Sequence, residues 1–141
     1  MTKCLLNMAT AKIEYKGELR TECTHVSSGT VIRTDAPVDN KGKGESFSPT
    51  DLVATAYASC MLTIMGIYCQ EHGIEMSSGS VEVIKLMDAS PRRIGKLQIK
   101  MDLSQNKWDS ETAERVIRAG KACPVAKTLG DNVEVEFEIL S

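Results

Sequence analysis

Two of the five cysteines in this sequence lie where a thiol could do chemistry. Cys60 falls within a long run of small and apolar residues, and Cys123 directly precedes Pro124, where a short helix is predicted to begin. A cysteine at a helix N-terminus meets the positive end of the backbone dipole. We therefore expect the pKa of Cys123 to be lowered, with Lys121 adding positive charge. Burial in mid-helix raises the pKa of Cys60 unless tertiary structure supplies a charged partner.

Inert packing is the alternative role for every cysteine, because cysteine is among the most frequently buried residue types. From the residues alone, packing is preferred for Cys60 and both roles stay open for Cys123. Cys4, Cys23 and Cys69 are predicted to be structural. Cys69 follows Cys60 by nine residues, which at about 100° per residue places the two on opposite sides of a helix.

The sequence around the cysteines argues against export and against a bound metal. The apolar run at the N-terminus is too short for a signal peptide, so we expect a cytoplasmic protein with reduced thiols. CxxC and HExxH motifs are absent, and the glycine-rich stretch at 42–44 lacks the ending of a P-loop. No metal and no cofactor is therefore predicted.

Composition narrows the remaining classes of function. The chain has 141 residues and a formal net charge of −2, with a pI near 5.7, whereas a nucleic-acid binder would need a basic patch. Aromatic residues make up only 4%, which leaves few platforms on which bases could stack. The length suits one domain, so residues 1–141 are predicted to form a single domain without a nucleic-acid partner.

The element that carries Cys60 is predicted to be a central helix over residues 48–72. Ser48 is a plausible N-cap, Pro49 takes the first helical position, and Asp51 completes a capping box. The helix is apolar on nearly all faces, as in a helix buried in a core or between subunits. Its length approaches the roughly 20 residues of a membrane span. Its polar interruptions argue against a membrane, and we predict a homodimer with this helix at its centre.

The elements on either side of the helix complete the fold class. Residues 1–47 are predicted to hold strands at 9–15, 19–25 and 30–34, with a hairpin turn at 16–18. Residues 80–141 are predicted to form a second α+β unit: paired strands at 80–87 and 96–103, a helix capped by Asp109 or Ser110, and an alternating strand at 133–139. The order predicts an α+β fold in which mainly antiparallel sheets surround a long buried central helix and a second helix.

Two motifs resemble those of the OsmC/Ohr superfamily of osmotically inducible and organic-hydroperoxide-resistance proteins. The first is SPTDL at 48–52, with eleven residues from Pro49 to Cys60, and the second is KACPVAKTL at 121–129. The order of strands and helices is similar over the whole chain, and the pattern is closer to the OsmC-like branch. The resemblance implies an intertwined OsmC-like homodimer with two sites at the subunit interface.

The resemblance also implies an activity, a thiol peroxidase that reduces organic hydroperoxides without metal, haem or flavin. Cys60 would be oxidised to a sulfenic acid and Cys123 would then form a disulfide with it. An external dithiol, in the family often a lipoylated protein, would reduce that disulfide. The alternative is a protein of the same fold that binds a small ligand or senses redox state with little or no turnover.

The sequence departs from the peroxidase pattern at two places. Where the family has a Glu directly after the Pro of the first motif, this chain has Thr50, and the acid Asp51 falls one residue later, about 100° further around the helix. The family also uses an Arg from the N-terminal region to hold the Cys60-type thiolate. Arg20 and Arg33 are the candidates for that role here.

Overall fold

The computed structural model describes residues 8–141, so Cys4 lies outside the described residues. The described residues form two compact units, one reaching Leu52 and the other comprising Val53–Ser141. Over residues 8–141, six strands and three α-helices make up the α+β architecture that the sequence predicts. The single domain over residues 1–141 stays a prediction.

The first unit contains a three-stranded antiparallel sheet in the order β1-β2-β3. Its strands are β1 Ala11–Gly17, β2 Arg20–His25 and β3 Val31–Asp35. The predicted hairpin turn between β1 and β2 is confirmed, and Gly17, Glu18 and Leu19 all have positive φ there. A glycine adopts that backbone region without the steric cost that a Cβ brings, which explains Gly17 at the start of the turn.

Helix α1 spans Pro49–Glu71 and begins with the predicted capping box. The Asp51 backbone N–H donates to Ser48 Oγ at 3.1 Å, and the Ser48 N–H donates to Asp51 Oδ2 at 2.9 Å. The helix ends at Glu71. Gly73 follows with a φ of 63°, which suits glycine, and the N–H of Ile74 donates back to the Cys69 carbonyl at 2.9 Å. The start and end of the predicted helix are thus confirmed.

One face of α1 is buried within the chain, and the opposite face is not. The buried side chains are Ala54, Tyr57, Ala58, Met61, Met65 and Cys69. By length and a mean hydropathy of 1.7, α1 could cross a membrane, but its buried face packs in the hydrophobic core of the chain, as a core helix does. The sequence predicts a helix that is buried on nearly all sides, whereas within a single chain α1 is buried on one side only.

The second unit is a three-stranded sheet in the order β4-β5-β6 with helices in the connection before its last strand. Its elements are β4 Ser80–Ala89, β5 Arg92–Asp102, α2 Ser110–Lys121, α3 Pro124–Leu129 and β6 Glu134–Leu140. β4 and β5 pair antiparallel, whereas β6 pairs parallel to β5. Three of the four strand pairings are therefore antiparallel. The parallel one requires a long crossover, which α2 and α3 supply.

The hydrophobic core of the described residues lies in this unit, next to both Cys60 and Cys123. Most of its buried members lie on α1 and β5. Cys123, in the turn between α2 and α3, is also one of them. Cys60 packs against this core from a half-buried position. The predicted cap of α2 is confirmed, because Asp109 Oδ1 accepts from the Thr112 N–H at 2.7 Å. On α2, Ala113, Val116 and Gly120 are buried, while Ile117 is half-buried.

Candidate active site

Cys60 lies near the middle of α1, at the border between its buried and exposed faces. Residues 53, 56, 63 and 67 are exposed, and at about 100° per residue Cys60 falls within the same arc of the helix. The Cys60 thiol is free and half-buried. A thiol at such a border can be packed on one side and still be reached by a small molecule from the other.

Cys123 is the N-cap of α3 and is completely buried, with 0% of its surface exposed. Its backbone is extended, Pro124 follows at the first helical position, and its sulfur accepts a hydrogen bond from the Ala126 N–H at 3.4 Å. The thiol is free. The Cys60 side chain is near enough to raise the pKa of Cys123. The tertiary structure therefore brings together the two cysteines that the resemblance singles out, 63 positions apart in the chain by their numbers, 123 minus 60.

The electrostatics at Cys123 differ from the expectation. Burial raises the pKa of Cys123, the backbone N–H of Ala126 lowers it, and the neighbouring Cys60 raises it again, with a net rise. The expected effect of the helix N-terminus is present, but desolvation of the thiolate outweighs it. The Lys121 ammonium lies 4.6 Å from the centre of the Phe137 ring, and it is not among the groups that shift the pKa of Cys123.

Close packing of α1 on α2 positions the two thiols. A Cβ on Gly120 would lie 2.4 Å from Met65 Cε, 2.8 Å from Met65 Cγ and 3.3 Å from the Met61 carbonyl oxygen. Only glycine fits between the helices at this distance. Cys123 follows Gly120 by three residues, and Met61 directly follows Cys60. The contact at Gly120 therefore lies three residues before Cys123 on one side and beside the residue that follows Cys60 on the other.

Tyr57 is a residue at this site that the sequence analysis did not single out. It lies three positions before Cys60 on α1, and only 5% of it is exposed. Burial raises the pKa of Tyr57, and negative charge on Cys123 raises it further. The signal in the sequence is a polar aromatic one helical turn from the candidate nucleophile.

Arg20 lies in the first unit and is held by two carboxylates there. Its Nε donates to Asp35 Oδ1 at 2.7 Å, and its terminal nitrogen donates to Asp35 Oδ2 and to Glu45 Oε2, both at 2.9 Å. The Arg20 guanidinium lowers the pKa of Asp35, which is 1% exposed, and the two carboxylates raise the pKa of Arg20. This bidentate pair gives Arg20 a structural partner within its own sheet.

Arg33, Thr50 and Asp51 also have partners in the first unit. Arg33 Nε lies 3.8 Å from Glu22 Oε2, and the Arg33 side chain is 63% exposed. The Thr50 hydroxyl is 3.2 Å from Ser48 Oγ, and Asp51 forms the capping box already described. The capping role predicted for Asp51 is confirmed. A role for any of these residues, or for Arg20, at the Cys60 thiolate stays a prediction.

The remaining features that bear on the site are the surface grooves of the second unit and the possible metal ligands. Four grooves of about 260 to 540 Å³ lie in the second unit, and neither Cys60 nor Cys123 lines any of them. Within residues 8–141, no group of three or more His, Cys, Asp or Glu side chains could hold a metal ion. The two free thiols are the reactive groups of this site, and Cys60 is the one that is only half-buried.

Comparison with known proteins adds independent observations. The sequence profile of the family described as OsmC-like protein matches residues 42–138. A crystal structure from Psychrobacter arcticus 273-4 is similar to this chain with a TM-score of 0.88 and 44% identity, covering 94% of this chain and 96% of that one. Its description proposes a protein induced by osmotic stress and active in a detoxification response. No curated protein matched the sequence.

More distant structures share the fold. One is an organic hydroperoxide resistance protein OsmC from Legionella pneumophila, with a TM-score of 0.75, 16% identity and coverage of 95% of this chain and 98% of that one. Another is the organic hydroperoxide resistance protein OhrB of Bacillus subtilis, with a TM-score of 0.64, 23% identity and coverage of 93% and 98%. At these identities the likeness concerns the fold alone.

Proposed function

Because this chain belongs to the OsmC-like protein family, we propose that it is a cysteine-based peroxidase that reduces organic hydroperoxides. The observation that carries the proposal is the pair formed by the half-buried Cys60 thiol and the fully buried Cys123 thiol, in which Cys60 raises the pKa of Cys123. Two structures of the same fold are named as organic hydroperoxide resistance proteins, which supports this choice of substrate.

The first step oxidises Cys60. Its thiolate attacks the terminal oxygen of the hydroperoxide, the O–O bond breaks, and the alkoxide leaves and takes a proton to become an alcohol. The sulfur loses two electrons and becomes a sulfenic acid, while the peroxide gains them. Cys60 is the one of the two thiols that is not fully enclosed, which suits it to meet the substrate.

The second step uses Cys123. Its thiolate attacks the Cys60 sulfur, an S–S bond forms, and the hydroxide that leaves is protonated to water. An external dithiol then reduces the disulfide by two thiol–disulfide exchanges and is itself oxidised to a disulfide. A lipoylated protein is our candidate for this reductant. The chain is proposed to act in the cytoplasm, where such dithiols are kept reduced.

A second copy of the chain is proposed to complete the site. The exposed stripe of α1 beside Cys60 carries apolar side chains, with Val53 36% and Ile67 44% exposed. A homodimer that covers this stripe would enclose Cys60 in an apolar cleft suited to the organic part of the substrate. Size-exclusion chromatography with light scattering should give a dimer for the native chain and a monomer for Ile67→Glu. A native chain that is monomeric at micromolar concentration would contradict this part of the proposal.

Peroxide consumption by matched cysteine variants tests the activity. Cumene hydroperoxide is supplied with dihydrolipoamide, and the native chain is expected to turn over. Cys60→Ser should abolish consumption, and Cys123→Ser should let a Cys60 sulfenic acid accumulate and be trapped by dimedone. Cys69→Ser is the control, because Cys69 is on the same helix and is buried away from the pair. If Cys60→Ser consumes peroxide as fast as Cys69→Ser does, the proposal is wrong.

The raised pKa of Cys123 favours a second candidate, a redox sensor with little turnover. A thiol with a raised pKa is a poorer leaving group, so a dithiol would reduce the Cys60–Cys123 disulfide slowly. A sensor would form the Cys60–Cys123 disulfide with oxidant but would not be recycled by dithiols at a useful rate. Mass spectrometry of the oxidised chain, before and after dihydrolipoamide, separates this candidate from the peroxidase.

A further inference from the structure

Thr63 is a polar residue that lies beside Cys60 on the exposed side of α1. Helical positions three or four apart are neighbours, with Cβ atoms about 5–6 Å apart. For Cys60 these neighbours are Ala56, Tyr57, Thr63 and Ile64. Tyr57 is buried and Ile64 is half-buried, while Ala56 is exposed but has no polar group in its side chain. Of these four, Thr63 alone presents a polar side chain at an exposed position. A molecule that reaches Cys60 from the exposed face of α1 therefore meets the Thr63 hydroxyl.

The Thr63 hydroxyl is held in one orientation by the main chain. Its O–H donates to the Ser59 carbonyl at 2.9 Å, which is the hydrogen bond to the preceding turn that Ser and Thr form in helices. A hydroxyl has one hydrogen to donate and two lone pairs with which it can accept. Because its hydrogen is used within the helix, Thr63 Oγ1 meets an incoming molecule as an acceptor. The residue is thus suited to a ligand that brings its own O–H.

An alkyl hydroperoxide brings such an O–H, on the same terminal oxygen that a thiolate attacks. A hydroperoxide that donated this O–H to the sulfur would present hydrogen, not oxygen, to the nucleophile. A second acceptor beside the sulfur turns the O–H aside and leaves the oxygen facing the thiolate. Reacting atoms stand about 3–3.5 Å apart before attack, and an O–H···O hydrogen bond spans about 2.7–2.8 Å. One oxygen atom can meet both distances between side chains on adjacent turns of a helix.

We propose that Thr63 orients the substrate by accepting the O–H of the hydroperoxide, which places the terminal oxygen against the Cys60 sulfur; this rests on the proposed function. As the S–O bond forms and the O–O bond breaks, the terminal oxygen keeps its hydrogen and becomes the hydroxyl of the sulfenic acid. The leaving alkoxide takes its proton from solvent. Thr63 neither gains nor loses a proton, and it can accept the O–H of the Cys60 sulfenic acid in the same way.

Single-turnover oxidation of Thr63→Val tests the role, because Val keeps the branched shape and removes the hydroxyl. The Cys123→Ser background lets the sulfenic acid accumulate, and dimedone trapping after one equivalent of cumene hydroperoxide gives its rate of formation by mass spectrometry. Thr63→Val should react about fivefold more slowly, as expected for the loss of one neutral hydrogen bond. Thr63→Ser keeps the hydroxyl and should react at the parent rate. Thr55→Val is the matched control, since Thr55 is half-buried on α1, about 140° around the helix from Cys60, and it too should react at the parent rate.

A second reagent separates orientation of the substrate from access to the thiol. Methyl methanethiosulfonate modifies a thiolate and has no hydrogen-bond donor, so Thr63→Val should react with it at Cys60 as fast as the parent chain at every pH. An equal loss of rate with both reagents would mean that Thr63 acts through the access or acidity of Cys60, and it overturns the inference. An unchanged peroxide rate in Thr63→Val overturns it too and leaves the peroxidase standing. If the parent chain itself forms no sulfenic acid, the proposed function is refuted and the inference with it.

Discussion

Gly120 gives the sharpest test of how the two thiols are brought together. Replacing Gly120 by Ala adds a methyl group at 2.4 Å from Met65 Cε, 2.8 Å from Met65 Cγ and 3.3 Å from the Met61 carbonyl oxygen. The Met65 terminus can swing aside, but Cγ is close to the main chain and the carbonyl of α1 is fixed. Overpacking of this kind costs about 1–3 kcal/mol.

A second glycine supplies the matched control. Gly66 lies inside α1, and a Cβ added there meets nothing within 4 Å in the chain. In a helix, Ala is favoured over Gly by about 1 kcal/mol, a gain that both substitutions share. Gly66→Ala should therefore stabilise the chain by about 1 kcal/mol, whereas Gly120→Ala should destabilise it by up to about 2 kcal/mol after the same gain is subtracted.

The assay measures stability and thiol chemistry on the same samples. Thermal unfolding should place Gly120→Ala below Gly66→Ala by roughly 4 °C for each kcal/mol of difference in a chain of this size. Disulfide formation between Cys60 and Cys123 after one equivalent of hydroperoxide should be slower in Gly120→Ala only. A shift of α2 away from α1 would also move Cys123, which follows the end of α2 by two residues. A Gly120→Ala chain that gains stability as Gly66→Ala does, with an unchanged disulfide rate, would refute the packing argument.

Three further outcomes follow from the charges and caps of the structure. Because the pKa of Cys123 is raised, the rate of disulfide formation should keep rising with pH beyond the ordinary thiol value of about 8.5, as measured by quenched mass spectrometry; a rate that levels off below pH 8 would contradict this. Ser48→Ala removes the acceptor of the Asp51 N–H and should lower stability in urea by about 1 kcal/mol, whereas Ser48→Asp should retain most of it. Because the Arg20 guanidinium lowers the pKa of Asp35, the pair should stabilise the fold above about pH 4, the unfolded value of an Asp, and lose this effect as pH falls further. The Asp35→Asn variant should melt at a lower temperature than the native chain at pH 7, and this difference in melting temperature should be smaller at pH 3. An equal difference at pH 7 and pH 3 would contradict the role of the ion pair.

Local features of the fold were predictable because their causes lie within a few residues. The capping box of Ser48 and Asp51 and the cap at Asp109 each depend on a side chain and a backbone N–H three residues apart. The hairpin at Gly17 and the alternating burial along β6 likewise depend on consecutive residues. The motifs around Cys60 and Cys123 identified the family in the same way, from short segments.

The properties that decide the chemistry depend on parts of the chain that meet only after folding. The pKa of Cys123 rises instead of falling because the degree of burial, which no local motif states, outweighs the helix N-terminus. The bidentate partner of Arg20 comes from a neighbouring strand, and the parallel pairing of β6 depends on the crossover before it. In the sequence, Gly120 is an ordinary small residue within a helix. Only the close approach of α1 explains why this position needs a residue without a Cβ. Local sequence patterns thus specify the strands and helices and single out the two thiols. Their packing, solvation and charge arise only on folding, because desolvation and close contact depend on many residues that are distant in the chain.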